Sequence, residues 1–133
     1  MKPTEQPSEE LIVVRYTSVT RGDALYARDK LSMAVYALAT GYGTLRSRLF
    51  DAYLEFHVLT SDDFPSSLRP DFEWIKRGLT KRQPHSDEGK VRATLRGMRK
   101  AKAMEIAVRI SNLCDSLIAY VENAEGVGQP AGK

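Results

Sequence analysis

The chain has 133 residues, of which 42% are apolar, and a net charge of +3 at neutral pH. This length is that of one typical domain, and the apolar fraction is too high for a wholly disordered chain. The longest uninterrupted apolar runs, such as residues 11–14, are far too short to span a bilayer, so no membrane association is expected. One cysteine, Cys114, excludes an intrachain disulfide and favours a cytoplasmic location.

The first twenty residues contain two unlike segments. Residues 1–10 hold two prolines and three acidic residues without an apolar stretch, which predicts a flexible tail and no signal peptide. Residues 11–20 are β-branched and aromatic, which favours a short extended segment. Because a lone strand needs partners for its backbone groups, this segment pairs with a second copy, pairs with another protein, or is helical.

The first clear helix is predicted over residues 23–40, where apolar side chains recur at helical spacing. Asp23 suits its N-cap position. Gly41 and Gly43 suit its end, because glycine tolerates the left-handed backbone common there. The predicted core stripe comprises Ala24, Ala27, Leu31, Ala34, Val35 and Leu38.

A second helix is predicted to begin at Thr44 or Ser47 and to extend towards residue 59. Because the link from the first helix is only a few residues long, the two should form an antiparallel helical hairpin. Residues 60–65 predict a break, since two aspartates and a proline are typical of a helix restart. The core stripe of the second helix comprises Leu45, Leu49, Ala52, Tyr53, Phe56 and Leu59.

A third, shorter helix is predicted after Pro70. Trp74 lies off its apolar face, and we interpret it as the anchor of a protein interface because tryptophan is frequent among interface hot spots. A polar loop over residues 81–89 leads to the last helix, for which Ser86 or Asp87 is the predicted cap. The apolar face of the third helix comprises Leu68, Phe72, Ile75 and Leu79.

The longest helix candidate covers residues 88–121, and its two halves differ: the first is basic and the second apolar. On a helix that advances about 100° per residue, Arg92, Arg96 and Arg99 would share the side that the apolar residues of the second half occupy. Either the first half protrudes from the body of the protein, or the helix bends near Gly97. The bend is the favoured interpretation, because glycine is a poor helix former.

These elements predict an all-α fold, a bundle of four to five helices with an antiparallel helical hairpin and a long C-terminal helix. The extended segment near the N-terminus is the one element that could depart from this pattern. A single domain is predicted over residues 11–124, between flexible tails at residues 1–10 and 125–133.

Positive charge is concentrated in the middle of the chain. Residues 64–109 hold twelve Lys and Arg against five Asp and Glu, whereas the regions on either side are slightly acidic. The cluster over residues 76–102 either pairs with the chain's own carboxylates, which is the favoured interpretation, or binds an external anion such as nucleic acid. None of the standard nucleic-acid-binding motifs is present. The candidate anion-binding residues are Lys81, Arg82, Lys90, Arg92, Arg96, Arg99, Lys100 and Lys102.

Two stretches of the sequence resemble a family of small bacterial helical proteins. Residues 38–49 read LATGYGTLRSRL and residues 62–75 read DDFPSSLRPDFEWI, after KLSMA at residues 30–34. They match the family pattern LATGxGxLRxRL followed by DFPxxLRxDF. The resemblance extends over residues 29–110 and implies a bacterial, cytoplasmic protein, but it implies no function and no catalytic residues.

No catalytic arrangement is recognisable. His57 and His85 are the only histidines, and neither has a cysteine or second histidine at the spacing of metal ligands. Arg46 and Arg48 follow two glycines at a helix start, but they lack the lysine and spacing of a phosphate-binding P-loop. We therefore expect a non-enzymatic protein without a catalytic site, cofactor or metal.

The function expected first is that of a helical interaction module or accessory subunit that self-associates or binds a protein partner. It is motivated by the strand-like segment over residues 11–20, the two unlike halves of the long helix and the missing catalytic set. The alternative is a nucleic-acid-binding accessory protein that uses the basic cluster over residues 76–102.

Overall fold

The structure, a computed structural model, describes residues 21–84 and 89–128. Every regular element in these two ranges is helical, so the predicted all-α fold is confirmed. No helix among them combines the length and the apolar character that crossing a membrane requires. In chain order the elements are α1 (Arg21–Thr40), α2 (Leu45–Phe56), a 3-10 turn (Ser61–Asp63), α3 (Arg69–Leu79), α4 (Lys90–Arg96) and α5 (Lys100–Gly128).

The predicted antiparallel hairpin of α1 and α2 is present, with residues 41–44 as its link. Gly43 has a φ of 86°, a backbone conformation that residues with a side chain rarely adopt. Thr44 is the N-cap of α2, and its Oγ1 accepts a hydrogen bond from the backbone N–H of Ser47 at 3.2 Å. The hairpin therefore follows from local turn and cap chemistry.

The core lies where α5 packs against α1, α2 and α3. The predicted stripes of α1 and α2 contribute their buried residues to it. Phe64, in the segment before α3, stacks on Phe72 with ring centroids 4.6 Å apart. The largest fully buried side chains include Leu31, Leu49, Phe56, Phe64, Ile75, Leu79, Ile106, Ile110 and Leu117.

The long helix candidate consists of two helices. α4 ends at Arg96 and α5 begins at Lys100, so the bend predicted near Gly97 is confirmed as a complete interruption. The φ of Gly97 is an ordinary −95°, but the Arg82 guanidinium lies where any other residue would place its Cβ atom. Because of the interruption, α4 packs against α2 and α3 while α5 enters the core.

Three predicted boundaries differ from the structure. α1 already begins at Arg21, so Asp23 lies in its first turn and is not the N-cap. The N-cap of α4 is Gly89, which offers no side-chain hydrogen bond, so the prediction that Ser86 or Asp87 is the cap is wrong, although both residues lie outside the described ranges. α5 continues to Gly128, so the first residues of the predicted tail over residues 125–133 are helical.

Several predictions lie outside the described residues. They concern the flexible tail over residues 1–10 and the extended or helical segment over residues 11–20. All of these stay predictions.

Candidate anion-binding surfaces

The short helix α4 directs polar and charged side chains to two opposite sides. At about 100° per residue, Arg96 lies about 40° from Arg92 around the helix axis, whereas Thr94 lies about 200° from it. The side with Arg92 and Arg96 faces α2, and the side with Thr94 faces α3. The single basic cluster of the sequence is therefore divided by α4 into two separate grooves.

The α2–α4 groove is a cavity of about 280 Å³. The Arg92 guanidinium lies over the Phe50 ring, with its Cζ atom 4.2 Å from the ring centroid, a cation–π contact that orders the side chain. Arg46 is held by a hydrogen bond from its Nε to the carbonyl oxygen of Met98 at 2.9 Å. The lining residues are Arg46, Ser47, Phe50, Arg92, Leu95 and Arg96.

The α3–α4 groove, on the other side, is a cavity of about 330 Å³. The buried Thr94 connects its walls: Oγ1 accepts a hydrogen bond from the backbone N–H of Arg82 at 3.0 Å and donates one to the carbonyl oxygen of Lys90 at 2.7 Å. The segment after α3 is thereby fastened to α4. The lining residues are Gly78, Lys81, Arg82, Thr94, Gly97, Met98, Arg99 and Lys102.

A third depression, the α2–α5 pocket, adjoins the α2–α4 groove through Arg46, which lines both. Its volume is about 530 Å³. Arg48 reaches back from it to the last turn of α1, where Nη1 donates to the carbonyl oxygen of Leu38 at 2.7 Å. The lining residues are Thr44, Leu45, Arg46, Arg48, Lys100, Ala103 and Met104.

The internal pairing favoured from the sequence is not found for six of the candidate residues. Among the described residues, no ion pair with a carboxylate is formed by Lys81, Arg82, Lys90, Arg92, Arg99 or Lys100. Lys102 does pair with Glu105, at 3.6 Å. Arg96 has an interaction partner of its own. Most of the positive charge around α4 is thus not neutralised by described carboxylates.

Trp74 lies on α3 beside this region and is half-buried. The Lys102 Nζ lies 4.3 Å from its ring centroid and the Arg109 Cζ lies 4.2 Å from it. Both cations also pair with Glu105. The indole is therefore already in contact with charged side chains of α5, and its role as an interface anchor stays a prediction.

The eight candidate residues fall into different places. Lys81, Arg82, Arg99 and Lys102 line the α3–α4 groove, while Arg92 and Arg96 line the α2–α4 groove. Lys100 lines the α2–α5 pocket, and Lys90 is the exposed first residue of α4.

Arg46, Arg48 and Phe50 belong to these surfaces and were not among the candidates. Arg46 and Met98 are 52 positions apart, and no local pattern in the sequence indicates that they meet. The one sequence feature that indicated a binding role for Arg46 and Arg48 was their position after two glycines at the start of a helix. The favoured interpretation of those glycines was an ordinary helix end and turn.

The histidines, the cysteine and the carboxylates of the described part of the chain do not converge on a metal site. His57 is the exposed C-cap of α2, with its ring 5.8 Å from that of Tyr53. No group of three His, Cys, Asp or Glu side chains able to hold a metal occurs there. Cys114 is buried, and burial raises the pKa of its thiol, which opposes the thiolate that a nucleophile needs.

Comparisons of this chain with protein-family models, with curated proteins and with solved structures returned no match. The resemblance seen in the LATGYGTLRSRL stretch therefore stays an expectation. A function for the chain has to be argued from the surfaces around α4.

Proposed function

We propose that this protein is a non-enzymatic helical binding module whose ligand is a nucleic acid, held by the basic side chains around α4. One observation carries the proposal: cations without a described carboxylate partner lie in grooves on both sides of α4. Neutralising phosphates with such cations releases counterions, which favours binding.

The arrangement suits a polymer better than a small anion. Arg92 and Arg99 line grooves on different sides of α4, so one phosphate or carboxylate group cannot touch both. A nucleic acid presents phosphates in series, about one negative charge per 1.7 Å of axis in duplex DNA, and can contact both sides at once.

Two further features support a nucleic acid. Arginine forms bidentate contacts with phosphate, and Arg92 and Arg46 are each held in place by a neighbour, so less conformational entropy is lost on binding. The Phe50 ring in the α2–α4 groove adds an aromatic surface. Aromatic rings in basic grooves are typical of sites for single strands, where bases stack.

The test is fluorescence anisotropy with labelled 20-nucleotide RNA, 20-nucleotide DNA and a 20-base-pair duplex, at 50 and 200 mM salt. We expect binding that weakens steeply with salt. The double variant Arg92→Glu with Arg99→Glu removes one cation on each side of α4. It should weaken binding to every sequence and lower the salt slope by about 2, since each phosphate contact contributes about 1.

The matched control is Arg28→Glu with Lys30→Glu, which makes the same change in net charge on α1. Both residues are close in sequence to Ser32 on α1, whose Oγ lies 3.6 Å from the Sγ of Cys114 on α5. Cys114 is roughly 20 Å along α5 from Lys100, so the control residues lie far from the surfaces around α4. The control should keep most of the affinity. Equal losses in both variants, or no binding by the wild-type protein at 50 mM salt, would contradict the proposal.

Self-association is the second candidate, and one observation favours it. α1 carries Tyr26, Met33 and Tyr36 on roughly one side, each about half exposed or more. We propose a second copy of this chain as the partner of that side, because helices with such a row pair with one another in helical dimers. Light scattering after size-exclusion chromatography should show a dimer that Met33→Glu with Tyr36→Glu converts to a monomer. A monomeric wild-type protein at high concentration would contradict this.

We also propose a cytoplasmic location. The chain has one cysteine, and its thiol is free and buried, so no disulfide contributes to the fold.

A further inference from the structure

The α2–α5 pocket combines positive charge with an apolar surface. Leu45, Ala103 and Met104 supply apolar atoms, while Arg46, Arg48 and Lys100 supply three cations. Among the residues that the structure describes, no carboxylate lines the pocket. We propose that it binds a small amphipathic anion, a carboxylate or phosphate group joined to an aliphatic or aromatic body.

The size of the pocket fits such a ligand. Its volume of about 530 Å³ lies within the range of about 300–1,000 Å³ found for small-molecule sites, which are mostly apolar with a few polar groups that orient the ligand. A nucleic-acid backbone would use the cations but would leave the apolar lining without a partner.

The two arginines are held in position before a ligand arrives. Arg46 uses its Nε for the carbonyl oxygen of Met98, and Arg48 uses Nε and Nη1 for the carbonyl oxygens of Gly43 and Leu38. The remaining guanidinium N–H groups can donate to an anion. Since the rotamers are already fixed, binding costs less side-chain entropy than with mobile arginines.

The start of α2 adds to the attraction for an anion. Thr44 lines the pocket and caps this helix of twelve residues. The hydroxyl of Thr44 satisfies the backbone N–H of Ser47, whereas the N–H groups of Leu45 and Arg46 have no acceptor within the helix because they precede its first turn of hydrogen bonds. The helix dipole also places partial positive charge at this end.

Met104 supplies the apolar wall. It is 52% exposed, and a single exposed apolar residue is common on any surface. What distinguishes Met104 is that it lines the same pocket as Leu45, the buried Ala103 and the three cations. Val108, on the same helix and also 52% exposed, does not line the pocket.

The test uses anilinonaphthalene sulfonate, an aromatic anion whose fluorescence rises in apolar sites, in the absence of nucleic acid. Decanoate and decyl phosphate should displace it. Decanol, which lacks the charge, and inorganic phosphate, which lacks the apolar body, should each be at least about tenfold weaker. Displacement by decanol as effective as by decanoate would show an apolar patch without a role for the cations, and would overturn the proposal.

Two variants locate the site. Met104→Glu places a negative charge on the apolar wall and should reduce dye and decanoate binding at least about tenfold, while the matched control Val108→Glu should leave both unchanged. Circular dichroism verifies that both variants are folded. Undiminished binding by Met104→Glu, or equal losses in both variants, would contradict the assignment.

The result of the decanoate test is independent of the result of the nucleic-acid test. Met104 does not line either groove beside α4, so Met104→Glu can lose the amphipathic anion and still bind nucleic acid. Conversely, Arg92→Glu with Arg99→Glu alters both grooves and should leave decanoate binding intact.

Discussion

The two helices on either side of Gly97 come from one predicted helix, yet different forces hold them. α5 contributes Ile106, Ile110 and Leu117 to the core, where all three are inaccessible to solvent. α4 has only seven residues, too few to be stable as an isolated helix. It is held by less completely buried apolar residues and by the hydrogen bonds of Thr94.

This difference has a functional consequence. Burial of the apolar side of α5 contributes to the stability of the whole domain, so its core positions cannot be exchanged for charged residues. α4 is positioned by α2 and α3, and its remaining surface is available for cations. The molecule thus has one helix that stabilises the fold and a neighbouring helix that presents charge.

The largest expected effect concerns the core side of α5. Ile110→Ala should lower the free energy of unfolding by about 2–5 kcal/mol, because the lost methyl groups leave a cavity that the packed neighbours cannot fill. Val108→Ala, on the exposed side of the same helix, should change it by less than about 0.5 kcal/mol. Urea denaturation measures both. Similar values for the two would show that burial of the core side of α5 does not stabilise the fold.

The next effect concerns the polar attachment of α4. Thr94→Val keeps the shape of the side chain but leaves the Arg82 N–H without its acceptor, which should cost about 1–3 kcal/mol. Thr80→Val is the matched control, since Thr80 Oγ1 only donates to the carbonyl oxygen of Lys76 in the preceding turn. A smaller loss for Thr94→Val than for Thr80→Val in urea denaturation would show that Thr94 does not hold α4.

A smaller effect is expected at the junction. Gly97→Ala must displace the Arg82 guanidinium, which is the end of a flexible side chain, so the free energy of unfolding should change by less than about 1 kcal/mol. With Arg82→Ala already present, the same change should stabilise the protein by about 0.4–1 kcal/mol, since alanine has less conformational entropy to lose. A double-mutant cycle measures this coupling. Equal effects in both backgrounds would show that Arg82 does not occupy this space.

The smallest effect is on reactivity at Cys114. Burial raises the pKa of its thiol, so the folded protein should react with a disulfide reagent only at a pH above that at which an exposed cysteine reacts. Ser32→Ala removes the hydrogen bond that lowers this pKa, so it should slow the reaction further at a given pH. Rapid reaction of the folded protein at neutral pH would show that this part of α5 opens more easily than its burial suggests.

Helix positions and core stripes were predictable because they depend on local rules. Gly43 and Thr44 have the turn and cap chemistry of a hairpin, and the apolar residues of α2 recur at the helical period. Gly97 indicated the interruption through its low helix propensity. It did not indicate that the Arg82 guanidinium fills the space beside it, because that contact depends on the path of the chain between α3 and α4.

The candidate surfaces were predictable only in part. The residue types and their concentration over residues 76–102 were visible, but the separation into two grooves was not, since it depends on how α4 lies between α2 and α3. Phe50 and Arg46 entered the site from α2 through contacts that are distant in sequence.

The sequence by itself determined the all-α class and the hairpin and favoured a bend near Gly97, because periodicity, caps and propensity act within a few residues. Only the tertiary structure decided what the cations meet on other helices. Lys102 finds Glu105 one helical turn away, whereas Arg92 lies on a phenylalanine ring of another helix. The reason is physical: an ion pair requires two groups within about 4 Å, and for residues on different helices only packing brings them together.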